Sequence, residues 1–196
     1  MSRFNAESIL RLANEENTSE IMDICKEEIK RQIMSAKGGN TLIKRYNAAI
    51  KYIKAIDEQR PQLKGAYPLV YHGKDCQGIC NGMTGVILYK PIDGLPVPKG
   101  EYIKLDTIIN DIPDYYWQAE VDMSAVILAT KGIGKHDKTV FQIGKQWFDP
   151  RRIIEITSIL GDKLVFHLSD ERQYSLMSAM YVTNDNGIAI ILPLRQ

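Results

Sequence analysis

The sequence predicts an α+β fold in which a helix followed by an antiparallel meander occurs twice. Three observations carry that expectation. Apolar residues recur at helical spacing over 41–58 and again over 150–160. Each of these stretches is followed by three short β-type runs. Gly, Asn and Asp separate the runs at turn spacing, clearest at Gly73-Lys74-Asp75, Asn81-Gly82 and Asn184-Asp185-Asn186-Gly187.

Residues 5–36 read as helical. Ile9, Leu10 and Leu12 give a short first segment, interrupted at 14–17. Thr18 or Ser19 caps a second, with Met22, Cys25, Ile29 and Ile33 on one face and Glu20, Asp23, Glu27, Lys30 and Arg31 on the other. Gly38-Gly39 closes it and divides an N-terminal helical segment, 1–39, from a main domain, 40–196.

The next helix runs from about Thr41 to Glu58, with Leu42, Tyr46, Ala49, Ile50, Ile53 and Ile56 as its apolar stripe. Lys44 and Lys51 lie on the far side, flanked by Asn47 and Lys54, and Pro61 forbids continuation. Strands follow at 66–72, 76–80 and 85–90. The middle of the chain is less regular. Residues 95–100 are turn formers, and 102–109 read equally as strand or short helix. Residues 120–130 and 138–143 read as strands joined by 131–137, with Glu120 and Asp122 on an exposed strand face.

Asp149-Pro150 opens the last helix: Asp caps, and Pro suits the first position because its missing amide would be unpaired there. Ile153, Ile154, Ile156, Ile159 and Leu160 repeat at helical spacing, opposite Arg151, Arg152, Glu155 and Ser158, and Gly161 supplies the stop. Two arginines in a first turn oppose the helix dipole, so they require compensation from Asp149 and Glu155 or from a bound anion. Strands at 163–168, 173–182 and 187–194 complete the chain.

With 196 residues, 44% apolar and 25% charged, the chain fits a soluble protein with one good core and a small appendage. A net charge of +1 argues against a strongly basic nucleic-acid binder, while leaving room for a basic face balanced by an acidic one. No apolar run approaches the roughly 18 residues of a membrane helix, and the N-terminus carries no signal-like core. Cys25, Cys76 and Cys80 are an odd number without framework spacing, which fits a reducing compartment. A cytoplasmic protein is expected.

Chemistry is sparse. His72, Cys76 and Cys80 are zinc-ligand types, but their spacing is no finger or ribbon pattern and no fourth ligand stands out, so no metal or cofactor is expected. Cys76 or Cys80 with His136 or His167 lacks a flanking nucleophile motif. The run Lys131-Gly132-Ile133-Gly134-Lys135 lacks the strand-to-helix setting of a phosphate loop. Trp117, Trp147, Tyr115 and Tyr116 are of a type that stacks bases, yet beside apolar strands they read first as core. No enzyme is expected.

The order of helix, meander and terminal Leu192-Pro193-Leu194-Arg195 resembles the closing unit of a DNA sliding clamp of the bacterial DNA polymerase III β-subunit type. In that family an Asn/Asp-Pro-like step opens a helix that leads into strands and a terminus like Met-Pro-Met-Arg. Clamp domains are pseudo-two-fold, and residues 41–90 and about 119–196 map onto the two halves. Residues 79–88 sit at a family turn like Thr-Asp-Gly-x-Arg-Leu, keeping its Gly but not its acid or Arg. The first forty residues match nothing in the pattern, and true clamps have two or three such domains where this chain has room for one.

The resemblance implies a DNA-clamp-like domain acting as a non-catalytic, processivity-type accessory in DNA replication. Lys44, Lys51, Lys54, Arg151 and Arg152 would contact duplex DNA phosphates. Leu192, Pro193, Leu194 and Arg195 would flank a groove for the short linear peptide of a replication protein. A lone domain cannot encircle a duplex, so a ring implies a homo-oligomer joined through exposed strand edges. The bland alternatives stay open. The five cations fit a plain solvated face, and Leu192 and Leu194 fit the end of an edge strand blunted by Pro193. The alternative function is a clamp-fold scaffold that binds a protein partner and no DNA.

Overall fold

The computed structural model describes residues 39–57, 59–109, 111–134, 137, 139–169 and 178–194; the two expected N-terminal helices fall outside them. The chain divides into two compact units, Met1–Lys44 and Arg45–Gln196. The described part of the first is the opening of helix α1 (Gly39–Ala55).

After α1 come a 3-10 turn at Pro61–Leu63 and strands β1 (Ala66–Tyr71), β2 (Lys74–Cys80) and β3 (Thr84–Leu88). A short helix α2 (Leu105–Ile108), strand β4 (Trp117–Ala119) and helix α3 (Met123–Leu128) occupy the middle. The hairpin β5 (Phe141–Ile143) and β6 (Gln146–Phe148) leads into helix α4 (Pro150–Leu160). Strands β7 (Val165–Leu168), β8 (Met180–Asn184) and β9 (Gly187–Ile191) follow. The architecture is α+β. One seven-stranded antiparallel sheet has the order β1-β2-β3-β9-β8-β7-β4, and β5-β6 stands apart as a two-stranded ribbon.

Helix plus meander does occur twice, and the two copies meet at the sheet centre where β3 pairs with β9. The registers match. Gln77↔Leu88 in the first meander corresponds to Met180↔Ile191 in the second, and Cys80↔Gly85 to Thr183↔Ile188. Asn81 and Asn184 therefore hold equivalent turn positions, and each uses its side-chain oxygen to accept the amide two residues on, from Met83 and Asn186.

Strand alternation sends Thr84, Val86, Leu88, Ala189, Ile191, Met180 and Val182 to one face. Helices α1 and α4 cover it. Tyr52 of α1 donates to the Thr84 carbonyl at 3.1 Å, and α4 lies on β3, β8 and β9. Of the expected stripes, Ala49 and Ile53 on α1, Ile56 just past its end, and Ile153, Ile156, Ile159 and Leu160 on α4 are buried, while Leu42, Tyr46, Ile50 and Ile154 are only half-buried and Tyr52, outside the expected stripe, is buried. Each large side chain contributes about 1.5–3 kcal/mol of burial at most. Gly187 lets α4 settle: a Cβ there would lie 2.3 Å from the Ile87 carbonyl oxygen and 3.2 Å from Leu160.

The other face carries Tyr67, Tyr71, Cys76, Cys80, Ile87, Tyr181, Ile188 and Ile190 beneath Leu105 and Ile109. Leu105 rests on Gly85, where a Cβ would meet Leu105 Cδ2 at 2.5 Å. Within residues 102–109, ambiguous in sequence, Leu105–Ile108 resolve as α2, and Leu105 and Ile109 both turn into this cluster.

Three expectations need correction. Residues 120–130 are not a strand: Asp122 accepts the amides of Ser124 at 2.9 Å and Ala125 at 3.3 Å, an N-cap that starts α3. Asp122 therefore does not sit on an exposed strand face. Of the described residues in 138–143 only Phe141–Ile143 is strand, pairing with β6, a strand the sequence reading did not assign. The last strand is no edge, since β9 lies between β3 and β8.

The true edges are β1 and β4. Pro68 removes a donor at the centre of β1, and Ala66 already donates to the Pro96 carbonyl at 2.7 Å. β4 has three residues. Both offer little to a joining strand.

Candidate functional site

Helices α1 and α4 lie side by side and oppositely directed on one sheet face. Arg45 of α1 reaches Ile159 at the end of α4, while Ala55 and Ile56 at the end of α1 line a cleft with Glu155. The expected cations divide into three kinds. Lys51 and Lys54 are exposed, on the side of α1 opposite Ala49, Tyr52 and Ile53. Lys44 is exposed too, in the part of α1 belonging to the first unit. Arg151 and Arg152 are only half exposed.

Arg151 is engaged within the chain. Its Nη2 donates to the carbonyls of Gly134 at 2.8 Å and Asp137 at 3.0 Å, pinning the loop before β5 against the start of α4. Arg152 Nε lies 3.8 Å from Asp149 Oδ2, and its Nη1 is buried with no partner. Asp149, the expected N-cap, accepts the Arg151 amide at 3.0 Å. The compensation that two first-turn arginines require is thus partly internal.

Glu155 sits among these charges. Burial pushes its carboxyl above the ordinary range, Asp149 adds to the rise, and Arg152, Lys51 and Arg151 oppose it. It forms one wall of a cleft of about 210 Å³ with Tyr52, Ala55, Ile56, Asp57, Arg60, Asn81 and Met83. Tyr52 is fixed at the back by a 2.5 Å hydrogen bond with Thr84 Oγ1, and that hydroxyl also donates to Asn81 Oδ1 at 3.0 Å. Burial drives the Tyr52 hydroxyl's pKa strongly upward, so it stays a neutral hydrogen-bonding group.

The far end of the helix pair is closed. Arg45, 6% exposed, donates from Nε to the Ile159 carbonyl at 2.8 Å. Asn184 and Asn186 donate to the Leu160 carbonyl at 3.0 and 2.8 Å, and Asn184 also to the Asp162 carbonyl at 2.8 Å. Three side chains from outside α4 thus satisfy carbonyls that a helix end leaves open. Arg45 Nη2 has no partner, and burial lowers the guanidinium pKa. Sequence reading missed Arg45 because it stands in the apolar half of the stripe, and took Asn184 and Asn186 for turn residues only.

The terminal residues leave β9 within the protein. Leu192 donates its amide to the Met83 carbonyl at 3.1 Å and packs on the core beneath α2; Leu194 donates to the Trp147 carbonyl at 2.7 Å. Leu192, Pro193 and Leu194 are half-buried, and Arg195 falls outside the described residues. The remaining chemical types are scattered. Cys76 and Cys80 are buried on the α2 side with thiols pushed up by burial, while His72 lies at the β1–β2 turn, 3.3 Å from Asp111. Among the described residues no group of three His, Cys, Asp or Glu is placed to hold a metal. His167 bonds Thr183 Oγ1 at 3.1 Å, and His136 lies outside the described residues. Of the aromatics, Tyr116 packs edge-on against Tyr181, but Trp117 and Tyr115 are exposed, contrary to the core reading.

The chain matches no protein-family model and no curated protein. Among the described residues no helix is long and apolar enough to cross a membrane.

Proposed function

We propose that the chain is a non-catalytic, clamp-like accessory module whose paired-helix face contacts duplex DNA phosphates through Lys51 and Lys54. The observation that carries this reading is the pair of oppositely directed helices on one face of a centrally repeated antiparallel sheet, with exposed lysines on the outward side of α1. Such contacts position a protein on DNA without reading sequence, and they weaken steeply with salt. Arg151 belongs to the scaffold in this reading, since its guanidinium holds the loop before β5. Arg152 is half-exposed, with a buried Nη1 that has no partner.

The test is duplex binding across a salt series, for the parent chain and for a Lys51→Gln/Lys54→Gln variant. The parent binds at low salt with a linear log–log salt dependence. The variant's slope is smaller by about 2, roughly 0.9 for each phosphate contact removed. Absence of binding at low salt, or an unchanged slope, rejects the DNA reading. It would favour a scaffold that binds a protein partner, which the near balance of charge and the internal use of Arg151 also support.

A further inference from the structure

The two ends of the helix pair are equivalent in the repeat but are finished differently. At the end of α4, a guanidinium from α1 and two carboxamides from the β8–β9 turn cap the last carbonyls. At the end of α1 the β2–β3 turn supplies Asn81, in the place of Asn184, and Met83, in the place of Asn186. The Met83 side chain has no donor to offer. The α4 side chain that lines this end is Glu155, an acid where α1 presents a base at the other end. Among the described residues no side-chain hydrogen bond to the last carbonyls of α1 matches the three that close α4. What occupies the corresponding space is the cleft.

We propose that this cleft binds a guanidinium group carried on a short aliphatic stem, supplied from outside the chain where Arg45 supplies one at the other end. The complement is in place. Glu155 and Asp57 offer carboxylates, the end of α1 offers the negative end of a helix dipole, and Tyr52, Ala55, Ile56 and Met83 offer apolar walls for the stem. A planar guanidinium can engage two acceptors at once, whereas a compact ammonium acts as a point charge. At about 210 Å³ the cleft falls below the roughly 300–1,000 Å³ of sites for drug-sized ligands, so one side-chain-sized group fills it. Arg60, which also lines the cleft, repels an incoming cation and sets a limit on affinity.

The probes are ethylguanidinium, L-arginine, N-acetyl-L-arginine methylamide and n-butylammonium, titrated into the full chain and followed by amide NMR shifts. Saturable shifts are expected at Ala55, Met83 and Glu155. Glu155→Gln weakens binding about tenfold or more, the worth of one charge-assisted hydrogen bond. Arg60→Ala strengthens it. Tighter binding of the capped arginine points to a peptide side chain as the source, and tighter binding of free arginine to a small molecule. No saturable shift with any guanidinium probe overturns the proposal. So does n-butylammonium binding as tightly as ethylguanidinium. If Glu155→Gln fails to fold, Asp57→Asn takes its place, and undiminished binding there has the same force. This outcome is independent of DNA binding, which is read on Lys51 and Lys54.

Discussion

Arg45 offers a quantitative test of how the helix pair is held. It is 6% exposed, makes one hydrogen bond to the Ile159 carbonyl, and leaves Nη2 without a partner. Two changes separate its polar and apolar contributions. Arg45→Met keeps a long stem and removes the charge. It loses a charged hydrogen bond worth about 1.5–3 kcal/mol but relieves a buried, unsatisfied donor that costs about 1–3 kcal/mol. The two nearly cancel, so the expected net change is within about 1 kcal/mol. Arg45→Ala has the same polar balance and also removes the stem that passes over Gly161, with Cδ 3.5 Å from the position of a Cβ there. Two lost methylenes at about 0.8 kcal/mol each, plus the cavity they leave, bring its cost to about 2–4 kcal/mol. Urea unfolding followed by far-UV circular dichroism reads both, with the slope checked for constancy. Equal destabilisation in the two variants would show that the polar cap dominates, and the reasoning about cancellation would be wrong.

Two further outcomes follow from the same packing. Gly187→Ala drives a Cβ into the Ile87 backbone carbonyl at 2.3 Å and lowers stability by about 2–3 kcal/mol, whereas Gly73→Ala, with nothing within 4 Å but φ +72, costs about 1–2 kcal/mol of backbone strain; unfolding midpoints compare them. Glu155, whose folded carboxyl titrates above its ordinary value, contributes stability that is present at acid pH and lost as pH rises through the folded value. Asp149 sharpens this effect, Arg152, Lys51 and Arg151 oppose it, and Asp57 and Arg60 line the same cleft. Glu155→Gln should therefore be more stable than the parent at pH 7, with the gain shrinking towards about pH 4, the ordinary glutamate range. A gain that grows with acidification would contradict the assigned shift.

Much of the local structure was legible because it depends on neighbours in sequence. Asp149-Pro150 starts a helix wherever it lands, Gly161 at φ +91 ends one, and paired positive φ values at His72 and Gly73 make the two-residue turn of β1–β2. The failure at 120–130 has the same scale: Val121, Ala125 and Ile127 fit either period, and the cap on Asp122 decided between them. Site residues were harder. Lys51 and Lys54 follow from helical phase alone, but Arg151 looked equally available and is spent on the carbonyls of Gly134 and Asp137.

By itself, then, the sequence determined the two helix–meander copies, their turns and their buried stripes, since hydrophobic period and turn chemistry act over a few residues. Only the tertiary structure decided that β9 would be a central strand, that Arg45 would close one end of the helix pair, and that Glu155 would face a cleft at the other. Those outcomes rest on contacts between segments such as Arg45 and Ile159, whose sequence neighbours carry no trace of the meeting.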